Sequence, residues 1–139
     1  MAVEFPSDYR PSPDEEYMNP MQLEYFRRKL LAWQDELIQE VQEALNNLRD
    51  EAYQEVGDEA DRASRESEHG LELRTRDRYR KLLRKIEQAL ERIDGGSYGY
   101  CEDTDEPIGI KRLEARPIAT LSIDAQERRE MKEKVLADG

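Results

Sequence analysis

From Leu23 to Val56 the apolar residues recur at steps of three and four: Leu23, Phe26, Leu30, Trp33, Leu37, Val41, Leu45 (with Ala44), Leu48, Ala52 and Val56. The other faces carry Arg, Lys, Glu, Gln and Asn. This is a heptad-like seam on one long helix. A stripe so narrow cannot be buried by its own helix, so the chain must bring a second one against it. The pattern lapses at Gly57 and resumes around Leu71. It then runs through Tyr79 (after a polar Thr75), Leu82, Leu83, Ile86, Leu90 and Ile93, and "DGGS" at 94–97 supplies a helix C-terminus and a turn. Two helices of similar length with a short break between them predict an antiparallel hairpin with arms of roughly 50 Å at about 1.5 Å per residue.

The boundaries carry their own signals. Asn19 is placed as an N-cap and Pro20 suits the first helical position. Gly57 permits the turn, Asp61 is placed to cap the returning helix, and Gly70 is a weak point within it. Pro6, Pro11 and Pro13 keep residues 1–20 from forming a regular helix, and this acidic segment is expected to pack near the opposite end of the hairpin from its tip. After residue 95 Pro and Gly separate Tyr98, Tyr100, Ile108, Ile110, Leu113, Ile118, Leu121 and Ile123. That stretch predicts a small knob of short strands or turns, followed by a charged helix from about Asp124 to Leu136. The fold class is mainly α: an N-terminal segment 1–20, a long antiparallel coiled-coil hairpin over 21–94 with its tip near 57–63, and a small globular domain over 95–139.

Composition narrows the function classes. Charged residues make up 40% and apolar residues 37%, which suits solvated helices with a thin seam better than a compact globule. No apolar run reaches membrane-spanning length and the first residues lack a signal-peptide pattern, so the expectation is a cytoplasmic protein without a membrane anchor. A single cysteine excludes an internal disulfide. Residues 1–70 hold 18 acidic and 7 basic side chains, whereas residues 71–139 hold 15 of each. The excess of negative charge in the first half argues against direct DNA binding there, because affinity for phosphates comes from Lys and Arg. One Cys and one His far apart make no nucleophile–base pair, and no glycine loop cradles a phosphate, so an enzyme is not expected.

The stretches "YMNPMQLEYFRRKLLAWQDEL", "LELRTRDRYRKLLRKIEQAL", "YGYCED" and "EPIGIKRLEARPIATLSID" resemble the DksA family of bacterial RNA polymerase-binding transcription factors over nearly the whole chain. The resemblance implies a globular domain bearing a coiled coil that enters the secondary channel of RNA polymerase, between the beta and beta-prime subunits, as a monomer. It implies destabilised open promoter complexes and joint action with guanosine tetraphosphate (ppGpp) in the stringent response, repressing ribosomal RNA promoters and activating some others. The family's tip motif, Asp-x-x-Asp-x-Ala, stands intact as Asp58, Asp61 and Ala63. Arg74, Arg78 and Lys81, with Lys85, follow steps of three and four on the returning helix and are candidates to meet an acidic polymerase surface; the plainer reading is a solvated face paired with the acids of the first helix. By motif, Lys85 and Arg116 fall on ppGpp-contacting positions. A third basic position is Gln126 here, with Arg112 as the candidate to compensate. Two other classes remain open: a Gre-like transcript-cleavage factor with an acidic tip, and a structural coiled-coil adaptor.

Most members of that family carry two Cys-x-x-Cys knuckles. The same frame here reads Cys101, Thr104, Ser122 and Ala125. A structural zinc site needs four good donors, and Thr, Ser and Ala do not supply them. The expectation is a degenerate zinc-ribbon-like knob without zinc or another metal. It is held by packing of Ile108, Ile110, Leu113, Ile118, Leu121 and Ile123, with Cys101 as a buried thiol.

Overall fold

A computed structural model describes residues 5–54 and 61–138, with the side chains at 51–54 and 61–64 excepted. The described residues form four helices: α1 (Pro20–Gln54), α2 (Asp61–Gly95), α3 (Ile110–Ala115) and α4 (Ile123–Asp138). None is long and apolar enough to cross a membrane. The chain divides into two compact units, one of residues 1–30 with 88–139 and one of Leu31–Glu87.

The helical unit pairs the distal part of α1 with the facing part of α2. Arg49 on α1 and Glu72 on α2 approach to 4.0 Å, which gives an antiparallel register in which facing residue numbers sum to about 121. That register brings Leu37 within a turn of Ile86, and both are buried. The α1 seam follows the predicted steps, with Trp33, Val41, Ala44, Leu45 and Leu48 half-buried around Leu37.

On α2 Tyr79, Leu82, Leu83, Ile86, Leu90 and Ile93 are covered as the sequence indicates, and the pattern differs at Ala89 and Leu71. Ile93, Ala89, Ile86, Leu82, Tyr79, Thr75, Glu72 and Glu68 form one covered row, alternating by four and three. Ala89 is fully buried, although it was not read as part of the seam, and Leu71 is 43% exposed although it was. The reason is geometric. A strict heptad carried back from Ile93 lands on Glu72, and Leu71 is about 100° away around the helix.

In the other unit, the start of α1 is fixed by side chains. Asn19 Oδ1 accepts from the Gln22 N–H at 2.9 Å, so Asn19 is the N-cap and Pro20 the first helical residue, as the sequence indicates. Gln22 is wholly buried, and its Oε1 accepts from the Met18 N–H at 2.7 Å. At the far end of α2, Gly96 adopts φ +84, and the Ser97 and Tyr98 N–H groups turn back to the Arg92 carbonyl at 3.0 and 3.2 Å.

Aromatic rings connect the N-terminal segment, α1 and the knob. Phe5 meets Tyr9 at 5.5 Å, Tyr9 meets Tyr25 at 6.2 Å, Tyr25 meets Phe26 at 5.1 Å and Phe26 meets Tyr98 at 5.7 Å. Offset and edge-on pairs of this kind add to the area they bury. Tyr17 fastens the segment a second time. Its hydroxyl donates to the Gly99 carbonyl at 2.7 Å and accepts from the Gly109 N–H at 2.9 Å. These contacts join the described part of the N-terminal segment to the knob.

The knob has no named strand among the described residues, only a single antiparallel bridge between Tyr100 and Pro107. The sequence predicts short strands or turns; the knob has turns and, beyond that expectation, α3, a six-residue helix. Ile108 and Leu113 are buried as expected. Ile123 is 54% exposed, contrary to expectation, because α4 turns Ala125 rather than its first residue inward. Lys29 on α1 and Glu114 on α3 meet at 2.8 Å and tie the short helix down.

Candidate functional site

The acidic tip is only partly within the described structure. Asp58 lies outside the described residues. Asp61 opens α2 and Ala63 sits in its first turn, while their side chains, and hence the expected cap, also lie outside. What the structure does supply is their setting: Asp61 and Ala63 stand at the start of the second of two antiparallel helices.

The basic row on α2 is solvent-facing throughout. Arg74, Arg78, Lys81 and Lys85 are all exposed. Lys81 is engaged by Asp77 on its own helix at 3.1 Å, and the Arg78 guanidinium lies 5.2 Å from the Tyr79 ring centre. The neighbouring Arg80 and Lys81 together hold the Asp77 carboxyl below the usual carboxylate range. Among the described residues, Arg74, Arg78 and Lys85 have no carboxylate within ion-pair distance. The expected pairing of this row with acids of α1 is not what these residues show: the described inter-helix pair, Arg49–Glu72, carries the opposite polarity.

Lys85 belongs to the helical unit and Arg116 to the knob unit. Arg116 is the exposed residue that closes α3, its N–H bonded to the Arg112 carbonyl at 2.7 Å. Arg112 itself is committed within the knob. Its Nε donates to the Leu121 carbonyl at 2.9 Å and a terminal nitrogen donates to Gln126 Oε1. A positive charge thus stands against Gln126.

The four knuckle positions lie where two segments of the knob meet. Cys101 is buried, with 1% of its surface exposed. Burial pushes its thiol up, but hydrogen bonds from the Thr104 hydroxyl, the Ser122 and Asp103 N–H groups and the Ser122 hydroxyl outweigh this and bring it down to about 6. Ser122 also accepts from the Ala125 N–H at 3.2 Å, capping α4, and Ala125 is 1% exposed. One sulfur, two hydroxyls and a methyl do not make a tetrahedral zinc donor set. Among the described residues no group of three or more His, Cys, Asp or Glu side chains converges on a point that could hold a metal ion.

Sequence reasoning missed one contact here. Arg129 of α4 grips the Asp103 carboxylate with Nε, at 2.8 Å, and with a terminal nitrogen. The signal was available: Ser122, Ala125 and Arg129 fall on one face of α4, and Asp103 lies inside the first knuckle.

Two family models cover this architecture. The one described as "DnaK suppressor protein DksA, N-terminal domain" matches residues 22–93, and "Prokaryotic dksA/traR C4-type zinc finger" matches residues 96–130. A protein named RNA polymerase-binding transcription factor DksA from Caulobacter vibrioides (strain NA1000 / CB15N) is 59% identical over 132 residues, covering 95% of this chain and 92% of that protein. The protein of the same name from Escherichia coli (strain K12) is 46% identical over 137 residues, covering 99% of this chain and 90% of that protein. The solved structure of transcription factor DksA2 from Pseudomonas aeruginosa superimposes with a TM-score of 0.77 at 46% identity, covering 88% of this chain and 93% of that one. With a seamed helix pair, a knob in the zinc-finger frame and relatives matched almost end to end, this chain belongs to the DksA family.

Proposed function

We propose that this chain is a transcription factor that binds RNA polymerase through the secondary channel and destabilises open promoter complexes. The observation that carries this reading is the match, over 95% of the chain at 59% identity, to a protein named for binding RNA polymerase. The helical hairpin of residues 21–94 is the element that enters the channel, and Asp58, Asp61 and Ala63 act at its tip. Two carboxylates there set fixed negative charge beside basic and metal-dependent elements of the polymerase. Arg74, Arg78 and Lys81 meet an acidic surface at the channel rim, between the beta and beta-prime subunits. Their support is exposure, and Arg74 and Arg78, without a carboxylate in ion-pair range among the described residues, are free to pair across an interface.

Lys85 and Arg116 take the phosphates of ppGpp at the junction with the polymerase, where ammonium and guanidinium groups suit a pyrophosphate. Arg112, held against Gln126, contributes positive charge near the position where the family pattern has a third base. The protein works as a cytoplasmic monomer, binds no DNA directly, catalyses no reaction and keeps its knob without zinc.

In vitro transcription from a ribosomal promoter tests the reading. The wild type is expected to repress, more strongly with ppGpp. Asp58→Asn and Asp61→Asn lose repression while retaining polymerase binding, and Lys85→Ala and Arg116→Ala lose only the ppGpp increment. Robust cleavage of backtracked transcripts by the wild type, or full repression by the tip variants, would overturn it.

A further inference from the structure

In the zinc-finger frame a metal fastens the 101–104 turn to the start of the last helix. The donor positions here cannot do this, yet the same two segments are joined. The Glu102 N–H donates to the Thr120 carbonyl at 2.9 Å. The Ser122 hydroxyl accepts from the Ala125 N–H at 3.2 Å and caps α4. Buried Ala125 fills the space beside them. One turn further along α4, Arg129 reaches back to Asp103 through two parallel N–H···O contacts.

The positions explain why this contact matters. Backbone and capping contacts secure only the first turn of α4. Beyond Arg129 every described residue of the helix is exposed. A helix pinned only at its N-terminus can pivot about that point. A second pin on the same face, one turn on, removes the pivot. The fork is planar and two-pronged, which fixes the helix's rotation as well as its distance, and a single point charge could not do so.

We infer that the Asp103–Arg129 fork, acting with the Glu102–Thr120 backbone contact, replaces the metal as the fastening between the knuckle turn and α4. The seating of α4 is then governed by charge and ionic strength, and neither chelators nor zinc supply alters it. The inference rests on the reading that the knob holds no zinc, and its test separates the two. About half of the Arg129 side chain and a third of the Asp103 side chain are exposed, so the pair sits in the range of partly solvated ion pairs and its removal should be felt locally.

The experiment is backbone amide exchange on the full chain, with elemental analysis of the same preparation. In Asp103→Asn and in Arg129→Gln, exchange over residues 123–130 is expected to rise by about two- to fivefold. Exchange over residues 86–93 of α2 stays at its wild-type rate. The charge-swapped pair Asp103→Arg with Arg129→Asp recovers most of the loss. Raising salt from about 0.05 to about 1 M reproduces the change in the wild type and adds little in Asp103→Asn. If both single variants exchange like the wild type, or lose protection equally in α2 and α4, the fork is not the fastening, while the metal-free reading stands. If the protein carries one zinc per chain whose removal speeds exchange in α4, both fall.

Discussion

Gly99 offers the sharpest test of how the N-terminal segment is locked to the knob. It adopts φ +92, and a Cβ placed there would lie 2.8 Å from both Cγ and Sδ of Met18 and 3.3 Å from the Tyr17 hydroxyl. Gly99→Ala therefore carries two separable costs. The backbone conformation is one that L-residues adopt at about 1–2 kcal/mol. The overlap with Met18 is overpacking of a buried side chain, worth about 1–3 kcal/mol. Together they predict a loss of about 2–5 kcal/mol. Only the second part depends on Met18, so Met18→Ala should relieve it and leave the first. A double-mutant cycle separates them, with an expected coupling of about 1–3 kcal/mol in favour of the double variant. The assay is urea unfolding followed by near-ultraviolet circular dichroism of the tyrosines, which cluster in this unit. A Gly99→Ala loss below about 0.5 kcal/mol would refute the close approach, and strict additivity with Met18→Ala would refute its assignment to Met18.

Other consequences follow from single contacts. Asn19→Ala removes the α1 cap and should cost about 1 kcal/mol in equilibrium unfolding, with Asn19→Asp nearly neutral. Tyr98→Phe keeps a buried ring but strands the Pro117 carbonyl, which now accepts from the Tyr98 hydroxyl at 2.8 Å; a loss of about 1–3 kcal/mol is expected, against no change if water takes the hydroxyl's place. Burial pushes the Glu114 carboxyl up, but Lys29 and the Tyr25 hydroxyl together bring it below its ordinary value. Its contribution to stability is therefore fully present above the unfolded carboxylate range near pH 4.3 and is lost as pH falls through the lower folded value. Lys29→Met should flatten the acid limb of a stability–pH curve by less than about 1 kcal/mol, since both side chains remain about one-third exposed. The Cys101 thiol should ionise near pH 6 when followed by ultraviolet thiolate absorbance, well below a free thiol, and Thr104→Val should move that titration upward.

Much of the helical pair was legible because a heptad repeats its statement many times. The α1 seam, the Asn19 cap and the glycine exit of α2 were each announced by residue types with few other uses. Parts of α2 were harder to read. There the covered positions include Ala89, Thr75 and Glu72, whose side chains do not mark themselves as interior, whereas Leu71 and Leu73 draw attention and stay exposed at 43% and 54%. The knob resisted for a different reason. Six residues of α3 are too few for a periodic pattern, although Gly109 before them and Pro117 after them do bracket good helix formers. The Asp103–Arg129 fork joins residues 26 apart in sequence, so its signal lay in the helical phase of Ser122, Ala125 and Arg129 and not in any contiguous motif. The tip motif is the reverse case: its residues were singled out in sequence, and Asp58 lies outside the described structure.

The enclosed amide of Gln22 works as an indexing pin. Its Oε1 accepts from the Met18 N–H while the Gln22 backbone N–H donates to Asn19 Oδ1, so the first turn of α1 can begin at one residue only. A slip of a single position would rotate everything downstream by about 100°, carrying Arg27 and Leu31 inward and Phe26 and Leu30 out to water. A neutral side chain at the very start of a long helix thereby determines which way all its later residues point.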